Sequence, residues 1–189
     1  TRTEMIKNIL SFQLPDDGFN LRFAQGSTAD PDITAMAIQA LAPYYRNSTF
    51  NVKDPVDKAL DCLSKLQLDT GDFRSWGTRN SESVSQIIVS LCSIGVDPQN
   101  DSRFIKNGIN LLDALFYYQQ EDGGFAHSYE SDPSNPSAIP GESDSIATDQ
   151  ALLALVAVWR QAQGMSILYD FRPGSVSAKI LTPEESEVS

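Results

Sequence analysis

The chain has 189 residues, enough for one sizeable domain that removes roughly 70% of its unfolded surface from water. Apolar residues make up 41% and charged residues 21%, ordinary proportions for a globular protein, so wholesale disorder is excluded. Fourteen basic against 25 acidic residues give a formal charge of −11 and a pI near 4.4, which argues against polyanionic partners such as nucleic acid or an anionic membrane surface.

The chain opens at Thr1 rather than Met, so it is expected to be a processed or excised piece. Its first predicted element is a helix whose Met5, Ile6, Ile9 and Leu10 share one face. The stretch "SFQLPDDGF" (11–19) reads as a turn. A more apolar helix follows from "DPDITAMAIQAL" (30–41), with Asp30 as N-cap acceptor, Pro31 at the first helical position, and Ile33, Met36, Ala37, Ala40, Leu41 and Tyr44 turned inward.

The same pattern returns twice. Asp54-Pro55 starts a second amphipathic helix through Val56, Ala59, Leu60 and Leu63. The turn "SKLQLDTGDF" (64–73) leads to an apolar helix capped by Ser81, carrying Val84, Ile87, Ile88 and Leu91, and closed by Asp97-Pro98. A third outer helix is expected over Ile105, Ile109, Leu112, Leu115 and Phe116. It is followed by "FYYQQEDGGF" (116–125) and an inner helix capped by Ser143, with Leu152, Leu155, Val156 and Trp159 buried and Gly164 as its stop.

In each turn a Gln precedes a Phe by six residues: Gln13 and Phe19, Gln67 and Phe73, Gln119 and Phe125. The phenylalanines lie 54 and 52 residues apart, so the sequence is three copies of one unit. The predicted fold is all-α: three tandem helical hairpins over residues 1–170, each with an outer amphipathic helix, a Gly-containing turn and a more apolar inner helix. Residues 171–189, with Glu184, Glu185 and Glu187 and no helical period, read as an acidic linker or strap. The Pro- and Ser-rich segment 126–145 reads as a flexible insertion or a lid over one end of the helices.

Repeated hairpins with Q-x3-G-x-[WF] at the turn resemble the α/α-toroid superfamily of squalene and other terpene cyclases, protein prenyltransferase β subunits and cobalamin carriers. The phrases "DPDITAMAIQALAPYY", "SESVSQIIVSLCSIGVDP" and "TDQALLALVAVWR" resemble most the prenyltransferase-like domains of secreted or surface-anchored proteins of Gram-positive bacteria. The resemblance implies that the second helix of each hairpin lines a ring, that ligands occupy its centre, and that the chain sits outside the cell or on its surface. A complete ring in that superfamily has about twice as many hairpins. This chain is therefore expected to form a partial toroid, a half-barrel with exposed apolar edges, whose partner is the missing half of the ring or a second copy of the chain.

Composition and spacing narrow the chemistry. Residues 107–159 contain no Lys or Arg but carry Asp113, Glu121, Asp122, Glu130, Asp132, Glu142, Asp144 and Asp149, a face that favours cations or polar neutral ligands if it is more than a solvated surface. Cys62 and Cys92 lack metal-ligand spacing and read as small core residues. His127, the one histidine, reads as an exposed loop residue, so no zinc site and no nucleophilic triad is expected, and no cofactor is assigned.

The candidate ligand-binding residues are the acids Asp30, Asp32, Glu82, Asp144 and Asp149 at the heads of the inner helices. Gln86 and Gln150 join them as polar interruptions of the inner faces, and Trp76 and Tyr129 as rings able to stack on a sugar. The competing roles are capping for the acids and packing over the turn for Trp76.

Three functions remain. The first is a binding or interaction module for a small molecule or glycan. The second is a cyclase: the D-x-D-D-T-A resemblance places Asp32 at the proton-donor position, with Ile33 replacing the last acid. The third is a glycan-cleaving pair of carboxylates. An enzyme of either kind would rest on Asp32 and Glu82.

Overall fold

The computed structural model describes residues 1–21 and 26–170. The expected strap at 171–189 lies outside the described residues. The fold is mostly helical, with helices α1 (Arg2–Ser11), α2 (Pro31–Leu41), α3 (Lys53–Leu66), α4 (Ser81–Ile94), α5 (Leu111–Phe116) and α6 (Ser145–Ala162). Two two-residue ribbons complete the framework: β1 (Arg74–Ser75) with β2 (Thr78–Arg79), and β3 (Phe125–Ala126) with β4 (Ser143–Asp144), both antiparallel.

The core is organised around α4, which packs against α2 on one flank and α6 on the other. Val84, Ile87, Ile88 and Leu91 are fully buried there, each side chain contributing about 1.5–3 kcal/mol. Serines sit among them without cost because their hydroxyls return to the helix's own carbonyls: Ser85 to Ser81, Ser90 to Ile87 and Ser93 to Val89. Cys62 and Cys92 are buried free thiols, and burial pushes them up to about 11 and about 12.

The three turns close alike. Leu14, Leu68 and Gln120 each donate a backbone amide to the carbonyl four residues on, at Gly18, Asp72 and Gly124, and Phe19, Phe73 and Phe125 plug the space beneath. In the first two turns the glutamine ties one unit to the next. Gln13 Nε2 donates to the Asp17 and Pro55 carbonyls, and Gln67 Nε2 to those of Gly71 and Phe104, at 2.8–3.1 Å. Gly71 adopts φ +82 so that the loop can pass Ile109.

Several boundaries differ from expectation. Asp30 caps α2 as expected, accepting the Ile33 amide, but α3 begins at Lys53, which places Asp54 and Pro55 inside its first turn, where proline removes no intrahelical bond. The caps of α4 and α6 are Asn80 and Asp144 rather than Ser81 and Ser143, since the amide or carboxylate one residue away reaches the free amides of Ser83 and of Ile146 and Ala147.

The third outer helix is only Leu111–Phe116. Asn107 and Gly108 both take positive φ, forming a tight turn that pairs Lys106 with Ile109, and helix resumes after the Asn110 capping box. Trp159 is not a core anchor: it is 49% exposed. Tyr44 does pack inward, edge-on to Phe50 at 5.2 Å.

Candidate functional site at the heads of α2 and α4

The Asp30 carboxylate does two jobs: one oxygen caps α2 and the other accepts the Ser75 hydroxyl at 2.7 Å, binding the α2 head to β1. Two residues on, Asp32 has an oxygen, Oδ1, that is buried without a hydrogen-bond partner. Burial pushes its carboxyl up to about 6. Ser83 pulls the other way, the negative charge of Asp30 adds to the rise, the Ser75 hydroxyl opposes it, and Glu82 adds further.

Glu82, in the first turn of α4, is engaged from the far side. Its Oε1 lies 2.8 Å from His127 Nδ1, and His127 Nε2 lies 3.0 Å from Asp132 Oδ2. Both ring nitrogens face carboxylates, so the arrangement is satisfied when both carry protons. The hydrogen bond to Glu82 outweighs burial and lifts the imidazole to about 9. Burial alone would raise Asp132, but hydrogen bonds from the Ser134 hydroxyl and amide and from His127 bring it down to about 2. His127 is therefore not an exposed loop residue. It is 7% exposed and forms the centre of a Glu82–His127–Asp132 ion triad. The two carboxylates sit on opposite nitrogens and converge on the ring instead of on a shared point; among the described residues no His, Cys, Asp and Glu group is arranged to hold a metal.

The triad also explains segment 126–145. Ser81 donates its amide to the His127 carbonyl and its hydroxyl to that of Ala126, Gly141 donates to Ser128, and Arg74 pairs bidentately with Glu130. The segment is tied to α4 and β1 across its first half.

The remaining candidates are dispersed. Asp144 caps α6 and pairs with Phe125, and with Ser143, Thr148, Asp149 and Leu152 it borders a separate open depression. Gln86 and Gln150 are bonded to each other at 2.9 Å, and Gln39 donates to Gln86, so the amides form a ladder across α2, α4 and α6. Trp76 sits exposed at the tip of the β1–β2 ribbon. Tyr129 stacks on Tyr118, 5.9 Å away, and accepts from Gln120. A second network was not anticipated: buried Asp72 accepts from Arg79 and from the Tyr118 hydroxyl, 46 residues away. A cleft of about 620 Å³ opens at the C-terminal ends of α2, α4 and α6, between Arg46, Ser93, Arg160 and Leu168, at the opposite end from Asp30, Asp32 and Glu82.

Of these residues, sequence reasoning missed His127, Asp132, Asn80 and Asp72. The signal was present only for Asn80, an N-cap type one residue before a Ser-Glu-Ser run.

No helix among the described residues is long and apolar enough to cross a membrane. No curated protein matches the chain. Residues 13–167 match the squalene-hopene cyclase C-terminal domain family, a span that includes all three Gln-to-Phe turns and the inner helices between them. The chain belongs to that family, within the α/α-toroid superfamily of terpene cyclases and prenyltransferases.

Proposed function

We propose that the chain is a ligand-binding module of a secreted or cell-surface bacterial protein, built as three helical hairpins in an open arc over residues 1–170. The rim around Asp30, Asp32 and Glu82 binds a neutral, hydroxyl-rich small molecule or glycan. The observation that carries this reading is Asp32, whose buried, unpartnered oxygen and raised pKa supply a hydrogen-bonding group that a neutral ligand satisfies without an ion pair. Localisation rests on the likeness of the sequence to surface-anchored bacterial domains.

A second reading, an acid-initiated enzyme of the terpene-cyclase or glycan-cleaving kind, is favoured by the same carboxyl, because a group at about 6 carries its proton in mildly acidic solution. Against it, the side chains that α2 and α4 leave partly open, among them Asp32, Met36, Gln39, Glu82 and Gln86, include no aromatic ring to steady a cation. The test is a comparison of the wild type with Asp32→Asn and Glu82→Gln in glycan-array binding and in product analysis after incubation with squalene. Binding weakened at the rim without any turnover supports the module. Turnover that disappears in Asp32→Asn establishes the enzyme.

A further inference from the structure

The inner helices begin on the caps Asp30, Asn80 and Asp144, so their residues are comparable by distance from the cap. Two threonines fix the register independently: Thr34 and Thr148, each four residues past its cap, accept the amides of Phe19 and Phe125 at 2.9 Å. Eight residues past the cap stand Ile38, Ile88 and Leu152. The first two are fully buried, whereas Leu152 is 58% exposed. Five residues past the cap, Ala35 and Ser85 are buried and Asp149 is exposed.

The opposite flank behaves in reverse. Ten residues past the cap, Ser90 and Ala154 are fully buried while Ala40 is exposed. Six past it, Gln86 and Gln150 are half-buried and bonded together, while Met36 is 46% exposed. Thus α6 shows a leading edge and α2 a trailing edge, and the α2–α4 and α4–α6 junctions show that these two edges fit each other. The outer layer repeats the asymmetry. Gln13 and Gln67 donate to the outer segment of the next unit, at Pro55 and Phe104, but the Gln119 side chain is exposed and makes no hydrogen bond among the described residues.

We propose that a second copy of this chain covers both edges. Its Met36 and Ala40 seat on Leu152 and Val156, the start of its α1 meets Gln119, and the reciprocal junction forms on the other side. The result is a closed head-to-tail pair about a two-fold axis that encloses the centre with six inner helices. The junction is the chain's own, already made twice within each copy, and one partner satisfies both open edges. Charge agrees: Arg2 and Lys7 stand exposed on α1 at one edge, while the other carries Asp113 and Asp149 in a stretch without any cation. The proposal rests on the open-arc reading above.

Sedimentation and light scattering of the 189-residue chain at micromolar concentration are expected to give twice 20.7 kDa. Leu152→Glu and Met36→Lys each yield monomer with unchanged helical circular dichroism, both sites being exposed. Mixing the two variants restores the pair, because one junction is then unaltered and the other joins opposite charges. A monomeric wild type, an open polymer, or a pair that Leu152→Glu breaks but Met36→Lys leaves intact overturns the proposal. Maleimide labelling of Leu152→Cys separates the two levels. A monomer that labels readily keeps the open arc and loses only the second copy. A monomer in which the thiol is protected has its edge covered by its own chain and loses both.

Discussion

Glu82 and His127, 45 residues apart, meet at 2.8 Å at the head of α4, with Asp132 on the other side of the imidazole. The folded pKa of His127, about 9, lies above its value of 6.5 in the unfolded chain. The contribution of the His127 proton is therefore complete below pH 6.5 and is lost as pH rises through 9. Asp132 is the opposite case: lowered to about 2, it stabilises above pH 4 and ceases to do so as pH falls through 2. Removing the Glu82 charge leaves a buried imidazolium with a weaker, neutral acceptor, so Glu82→Gln is expected to cost about 1–3 kcal/mol at pH 6 and much less at pH 10. Urea unfolding at the two pH values checks this; equal losses would dissociate the triad from the pH dependence.

Asp32 is shifted in the direction opposite to Asp132. Its folded value of about 6 exceeds the 3.8 of the free side chain, so the fold favours the protonated form and loses stability as pH rises from about 4 through 6. Above pH 6 the carboxylate is held at a disadvantage of on the order of 2–3 kcal/mol. Asp32→Asn should raise the stability at pH 7.5 and leave it unaltered at pH 4. A group retained at such a cost is the kind expected to serve a ligand, and the gain on substitution is the measurable sign of it.

The periodicity of the chain made the helices legible, since Val84, Ile87, Ile88 and Leu91 allow one face only, and the Gln-to-Phe spacing revealed the repeated turns. Positions set by contacts distant in sequence were hidden. Nothing near His127 indicates that it pairs with Glu82, and an Asp-Pro dipeptide at 54–55 looks the same whether the acid caps the helix or lies in its first turn. The shortened α5 was legible in principle, because Asn107-Gly108 is a turn dipeptide, but the apolar spacing of Ile105 and Ile109 masked it. Asp32 feels the charges of Asp30 and Glu82 at the heads of α2 and α4, whereas Asp144 and Asp149 border a separate depression beside α6, a division set by packing that no spacing in the sequence reveals.

Gly71 combines a positive φ with a close approach: a Cβ there would lie 2.8 Å from Ile109 Cγ2. Both the backbone and the packing oppose a side chain. Gly71→Ala is expected to lower stability by about 2–4 kcal/mol, whereas Gly77→Ala, also at positive φ but in open space, costs only about 1 kcal/mol from backbone strain. Thermal unfolding of the two variants separates the contributions.

The three turn glutamines provide the sharpest internal comparison, because sequence makes them equivalent and structure does not. Gln67 is buried and holds two carbonyls, Gly71 and Phe104, that lose their donor if it is truncated. Gln13 makes the matching pair at Asp17 and Pro55 in a half-buried setting. Among the described residues Gln119 makes neither bond. In the unassembled chain, Gln67→Ala should cost about 2–3 kcal/mol, Gln13→Ala about 1–2, and Gln119→Ala less than about 0.5. The order follows from how completely the next unit covers each glutamine. Chemical denaturation of Leu152→Glu chains carrying each substitution measures it; a loss at Gln119 equal to that at Gln67 would mean that the third turn is covered within a single chain.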